Sequence, residues 1–388
     1  MTTSSISPRR IIVVGAALMG SGYPNARNTI SLLHSMNEVE LIDCSHSLPE
    51  KLHLWKLARG NLHEKLSGGI RIGILNVASI LSAVFRYRPH DILYIPYPSL
   101  PTLWLISWIP KKLRPVTFCD AYITLWDSFY QDRRIGNESS LFSRRLHAIE
   151  SRALHSASKI IVDTSANAKH LHQLFKIPLS QFSALPLATD GRSRGSCEKA
   201  SRPDVRSPPY NPVTVLFFGT FVPLQGTEII VEAIALLNRC NDVKFTLIGD
   251  GQQALEMERK IANLKNTTWI RAWQTPAQLE KEIESADICL GIFGGDGKAA
   301  RVLPLKLYMA LAHGKAIITQ KSYSTPDGSP PIPAFTIEPT AEKLADAITE
   351  LSKSSQNRAK LGLAASKYYE QNLSIDALRA SWIKLISN

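Results

Sequence analysis

The chain has few cysteines. Its five (Cys44, Cys119, Cys197, Cys240 and Cys289) are scattered over 388 residues, odd in number and never in a C-x-x-C pair. That argues against a disulfide framework or a cysteine zinc site and for a reducing, cytoplasmic compartment. The N-terminus MTTSSISPRR runs into IIVVGAALMG, whose apolar core is too short to span a bilayer. It lacks a small-residue cleavage site and fits a first buried strand better. No helix-turn-helix, RRM, KH or zinc-finger pattern is present, so nucleic acid is the weakest partner class for this basic chain. The histidines show no ligand spacing with carboxylates or cysteines. His147, His155, His170 and His172 lie on helical stretches and read as surface or packing residues, so no metal site is expected.

What is present is the composition of a globular protein, 44% hydrophobic and 20% charged, in a chain long enough for two ordinary domains. The net charge of +12 is uneven. Residues 1–212 hold 26 Lys and Arg against 15 Asp and Glu, and the remainder 19 against 18. A basic half of this kind suits an anionic ligand or an anionic membrane surface.

Short apolar runs ending in turn residues alternate with helical patterns, as in buried parallel strands of a doubly wound sheet. In the first half these runs are IIVVG (11–15), VELIDC (39–44), DILYIPYP (91–98), VTFCD (116–120) and KIIVDT (159–164). Helices are expected from about Asn25 to Met36 and over 140–157. Residues 191–212, rich in Ser, Arg, Gly and Pro, read as a linker. The alternation restarts with VTVLFFG (213–219), KFTLIGDG (244–251), WIRAW (269–273), ICLGIF (288–293), the helix LKLYMALAHG and AIITQ (316–320), and two amphipathic helices close the chain. The expectation is an α/β protein of two doubly wound domains.

Two glycine turns follow strands of the second half: Gly219 to Gly226, which feeds a helix, and Gly249 to Gly251. Free backbone N–H groups and a helix dipole at such a turn can hold phosphate, although either turn alone can be an ordinary βα connection. Lys298, Arg301 and Lys306 fall around the start of the LKLYMALAHG helix, a poor place for cations unless an anion neutralises them.

With these residues in view, the C-terminal half resembles the donor domain of family 4 glycosyltransferases of the GT-B fold. It carries a strand-Gly-x-x-x-Pro-x-x-Gly loop, a G-D-G loop and a P-x-K-x-Y-x-A-L-A-x-G-K-x-x-I-T helix (Pro304 to Thr319). It is similar to a bacterial subgroup marked by P-L-x-G, L-G-I-F-G and a D-A-x-x-x-L-x-D run, here Asp120 to Asp127. The resemblance implies two Rossmann-like domains facing a central cleft: an acceptor domain over 1–190, the linker 191–212, a nucleotide-sugar donor domain over 213–370, and a helix over 371–388 returning to the first domain. Gly219, Thr220, Gln225, Gly226, Gly249, Gly251, Lys298, Arg301 and Lys306 are then the donor-side candidates, and Gly20 and Gly22 of the N-terminal glycine loop meet donor and acceptor. Thr220 and Gln225 stand where the family carries Arg and Lys, and Arg301 and Met309 stand where it carries two glutamates.

The resemblance further implies a retaining sugar transferase that needs no metal or cofactor beyond a nucleotide diphosphate sugar, acting on a lipid-linked or polysaccharide hydroxyl. Asp120 and Asp127, at and beyond a strand end, are candidates for orienting or deprotonating that hydroxyl. Trp104 and Trp108, followed by Lys111, Lys112 and Arg114, read either as a core helix with a basic end or as a peripheral contact with an anionic membrane. Two other functions stay open: a partner subunit that has lost catalysis, and a nucleotide-sugar epimerase.

Overall fold

The computed structural model describes residues 8–20, 23–49, 62–133, 136–189, 212–272 and 274–387. The chain divides into two compact units: residues 1–188 with 378–388, and residues 189–377. Most of the expected linker, Gly22, Cys197 and Trp273 lie outside the described residues.

In the first unit the strands are β1 (Arg9–Val13), the short β2 (Ala16–Ala17), β3 (Val39–Asp43), the short β4 (His46–Ser47), β5 (Ile92–Ile95), β6 (Val116–Asp120), β7 (Lys159–Val162) and β8 (Phe182–Ala184). The helices are α1 (Pro24–His34), α2 (Leu62–Val84), α3 (Leu100–Ile106), α4 (Leu141–Leu154) and α5 (Ser165–Phe175). The main sheet is parallel throughout, in the order β3-β1-β5-β6-β7-β8, and β2 pairs with β4. Parallel strands buried on both faces need apolar side chains on both, hence the unbroken Ile11-Ile12-Val13 run. Ile12, Leu93, Ile95, Cys119 and Ile160 turn to one face and pack with residues of α2 to α5. Ile11, Val13, Ile92, Tyr94 and Phe118 turn to the other face and meet α1.

The second unit repeats the plan with β9 (Val213–Phe218), β10 (Val243–Ile248), β11 (Thr267–Ile270), β12 (Ile288–Leu290), β13 (Ala316–Gln320) and β14 (Phe335–Ile337). Its helices are α6 (Thr227–Leu236), α7 (Ala254–Ile261), α8 (Pro276–Ser285), α9 (Lys298–Arg301), α10 (Leu305–Ala312), α11 (Ala341–Ser352) and α12 (Ser355–Asn372). The parallel order is β11-β10-β9-β12-β13-β14, so the strand order reverses between β9 and β12. Open α/β sheets bind ligands at that switch point, beyond the strand C-termini. The last helix, α13 (Ile375–Ser387), buries Leu378, Trp382, Leu385 and Ile386 in the first unit, with Trp382 edge-on to Tyr94.

Three sequence expectations change. The strand expected at 269–273 lies at Thr267–Ile270, because Thr267 to Ile270 pair with Phe245 to Ile248 of β10. The stretch 98–115 is not one helix: α3 stops at Ile106, and a separate 3-10 turn covers Lys111–Leu113. The long α2 had no counterpart in the strand-and-helix pattern read from sequence.

Candidate functional site

In the second unit the two glycine turns press together. A Cβ on Gly249 would lie 2.0 Å from the Gly219 carbonyl oxygen, and one on Gly251 would lie 2.5 Å from that of Phe221. The Phe221 amide donates to Asp250 O (3.1 Å), and the Gln253 amide donates to Phe221 O (3.0 Å). Gly226 is as tightly held: its φ is +67°, and a Cβ there would meet the Phe293 backbone at 2.5 Å. Gly226, Gly249 and Gly251 therefore serve loop-on-loop packing, which no sequence motif separates from phosphate binding. Asp250 is exposed and paired with Arg271, while Thr227 Oγ1 at the start of α6 donates to Gln253 Oε1 at 2.9 Å.

Lys306 closes this arrangement. It lies in the first turn of α10, only 6% exposed. Its Nζ would be 3.0 Å from a Cβ on Gly219 and sits 3.7 Å from the centre of the Phe217 ring. Nζ has no hydrogen-bond partner among the described residues, nor has the buried Oε1 of Gln225, whose Cδ lies 3.9 Å from the same Cβ position. Burial pushes the Lys306 ammonium well below the ordinary lysine value. Its electrostatic neighbour Cys289 does not neutralise it, because burial holds that thiol up at about 12 and so uncharged.

Lys298 and Arg301 do not share a helix with Lys306. They occupy α9, a single turn that Pro304 and the extended Val302 separate from α10. That turn packs against the 3-10 turn Pro223–Gln225 of the first glycine loop, and Arg301 Nε donates to Gly297 O at 3.3 Å. Thr220 is exposed and Met309 half-buried. A residue not foreseen, Gln320, is fully buried at the end of β13. It accepts from the Gly295 amide at 2.8 Å and donates to the Gly295 carbonyl at 2.7 Å. Glu280, Glu284 and His313 bring ligand-type atoms within 4.8 Å of one another, but beside the strand N-termini, away from these loops.

In the first unit Asp120 ends β6 and is fully buried. Its Oδ2 accepts from Tyr94 OH at 2.9 Å and from Asn25 Nδ2 at 3.5 Å, while Oδ1 has no partner among the described residues. Burial raises its carboxyl to about 7, against the opposing pull of the Tyr94 hydroxyl. Asp127 opens a π-helical turn, is also buried, and pairs with His170 Nε2 at 3.0 Å. The partners are 43 positions apart, so no local spacing reveals the pair. The nearby Glu150 accepts the amides of Leu125 and Trp126 and is raised to about 7 by burial.

At the N-terminal glycine loop, the Gly15 amide donates to Ser79 Oγ at 2.7 Å and the Ala16 amide to Asn76 Oδ1 at 3.2 Å. These two amides are therefore already used within the fold. The Gly20 carbonyl accepts from the Tyr23 amide at 2.9 Å. In the aromatic stretch, Trp104 is half-buried against the core and edge-on to Trp108, which is exposed beneath the Arg152 guanidinium. Arg114 is tied to the carbonyls of Ile109 and Ser107, and Lys111 and Lys112 are exposed.

Residues 212–354, which hold every donor-side candidate, match the family "Glycosyl transferases group 1". No curated protein matches the sequence. Solved structures are similar along nearly the whole chain. HepE from Anabaena, in complex with UDP and glucose, is 14% identical with a TM-score of 0.63, covering 98% of this chain and 99% of that one. Sucrose-phosphate synthase from Thermosynechococcus elongatus is 15% identical with a TM-score of 0.65, covering 97% and 98%. A glycosyltransferase from Rickettsia africae is 16% identical with a TM-score of 0.60, covering 98% of each chain. The chain thus has the two-unit parallel α/β fold of the GT-B glycosyltransferases, with a group 1 sequence match across residues 212–354.

Proposed function

We propose that this chain is a glycosyltransferase whose second unit holds a nucleoside diphosphate sugar and whose acceptor is a lipid-linked or polysaccharide hydroxyl. The observation that carries the reading is Lys306, a buried amino group with no hydrogen-bond partner among the described residues, where the first glycine loop meets α10. A buried cation is costly unless an anion compensates it, and a diphosphate supplies that anion. As the bond from sugar to diphosphate breaks, negative charge grows on the departing phosphate oxygens. Lys306 and the α10 N-terminus would meet that charge already oriented and without the cost of turning water. Lys298 and Arg301, on the neighbouring turn, are the further cations for the same group. They and Lys306 take the place of the Arg and Lys that Thr220 and Gln225 do not supply.

On the acceptor side Asp120 remains the first candidate and Asp127 the second; a carboxyl held near 7 suits proton exchange at neutral pH. Reaction with retention, without metal, in the cytoplasm or on its membrane surface near Trp108, completes the proposal. UDP bound by similar structures supports a nucleoside diphosphate as the donor carrier.

Met309, Thr220 and Gln225 favour a second reading, a partner subunit without catalysis. Calorimetric titration with a panel of nucleoside diphosphate sugars separates the two. Micromolar binding of one donor is expected; a folded protein that binds none sinks the transferase reading. Conversion of that donor to an isomer without any acceptor would instead show an epimerase.

A further inference from the structure

Helix α2 presents an apolar stripe to solvent. Leu66, Ile70, Ile74, Val77, Leu81 and Val84 recur at three- and four-residue steps, with exposures from 47% to 64%, and Phe85 just beyond is 87% exposed. Such spacing places them on one face of the helix. Gly69 and Gly73 lie on the exposed side with no neighbour within 4 Å of a Cβ position. The opposite face is committed to the fold. Asn76 and Ser79 accept the amides of Ala16 and Gly15, and Ala83 and Ile80 pack with the core. By length and composition the segment Leu66–Val84 could cross a bilayer. Crossing would tear those buried bonds and contacts from the sheet, whereas lying flat keeps them.

Charge identifies the occupant. From Lys65 to Cys119 the only acidic residue is Asp91, which is buried and paired with Arg10. The same stretch holds Lys65, Arg71, Arg86, Arg88, Lys111, Lys112 and Arg114. Arg71, Arg86 and Arg88 are exposed on or just after α2, and α3, which packs beside α2, leads into the exposed Trp108, Lys111, Lys112 and Leu113. An apolar stripe flanked by cations, with Glu64 in the first turn as the one acid of α2, fits the boundary of an anionic bilayer, where apolar side chains enter the acyl region and cations meet headgroup phosphates. A second copy of this chain would bring the same cations against themselves.

We infer that the exposed face of α2 docks this protein in-plane on an anionic lipid surface, independently of any donor or acceptor. The test is co-sedimentation of the full chain with vesicles of phosphatidylcholine containing phosphatidylglycerol, and with phosphatidylcholine alone. The wild type should pellet with the anionic vesicles and be released by salt. The doubly substituted Ile74→Glu, Leu81→Glu chain should bind at least tenfold more weakly. Both sites are exposed, so its melting temperature should match the wild type. Wild type left in the supernatant with both vesicles overturns the inference, as does a variant that binds like wild type. A wild-type dimer in sedimentation velocity that the double substitution dissociates would assign the face to self-association instead. None of these readouts requires sugar transfer, so they stand or fall apart from the proposed function.

Discussion

The two units share a parallel α/β plan but treat buried charge differently. In the first, Asp120, Asp127 and Glu150 are buried with partners: a tyrosine hydroxyl, a histidine and two backbone amides. In the second, the buried Lys306 has an aromatic face and a neutral thiol but no hydrogen-bonded anion among the described residues. The acids of the first unit each accept at least one hydrogen bond, although Asp120 Oδ1 has none among the described residues. The Lys306 amino group, by contrast, makes no hydrogen bond among them and weakens the fold when charged until a ligand arrives. On the proposed reading Lys306 meets an anion in the second unit, while Asp127 and Glu150 are also tied into the framework of the first.

Gly249→Ala should have the largest effect. Its φ of +134° and the Gly219 oxygen 2.0 Å from the added Cβ leave no room, so the second unit should lose about 2–4 kcal/mol in denaturant unfolding. Donor binding should fall with it. Lys306→Met sharpens the contrast further: it removes the charge but keeps the packing. Donor affinity measured by calorimetry should drop about tenfold to a hundredfold, while the melting temperature should hold or rise. A melting temperature that falls together with affinity would mean that Lys306 is a structural residue like the acids of the first unit.

Much of this was legible in sequence. Apolar runs of four to six residues located β1, β6, β9 and β13 within a residue or two, because strands buried on both faces leave an unbroken apolar signature. Lys306 stood out because a cation in a first helical turn is unfavourable. Its isolation was not legible, since Phe217 and Gly219 come from one segment and Cys289 from another, both distant in sequence from Lys306. The contacts from His170 to Asp127 and from Gln320 to Gly295 are equally non-local. The stripe on α2 escaped because an apolar helix looks the same in sequence whether its outer face is covered or open.

The acids of the first unit give a smaller, pH-dependent effect. Asp120 and Glu150 rise from ordinary carboxyl values of 3.8 and 4.5 to about 7 in the folded state. Between those limits the folded chain holds protons that the unfolded chain has released. Stability should therefore fall as pH rises through that window, by on the order of 1 kcal/mol per pH unit for each group. The contribution of these two acids should level off above about 7, where both states are ionised. Asp120→Asn should remove about half of this slope in melting curves taken across the window, leaving the part due to Glu150. The smallest change is expected from His170→Ala, which leaves Asp127 short of one partner and should cost the first unit about 1 kcal/mol. Donor affinity should be unaffected.

The most direct measurement is the proton balance of donor binding. The nucleoside diphosphate sugar that binds in the titration panel would be titrated into the wild type and Lys306→Met in two buffers of different ionisation enthalpy. If the diphosphate supplies the missing counter-ion, binding returns the Lys306 ammonium toward its ordinary value. The wild type should then take up a proton, more so as pH rises between the depressed and the ordinary lysine values. The variant should bind weakly without that uptake. Equal affinity and equal proton balance in the two proteins would contradict the account.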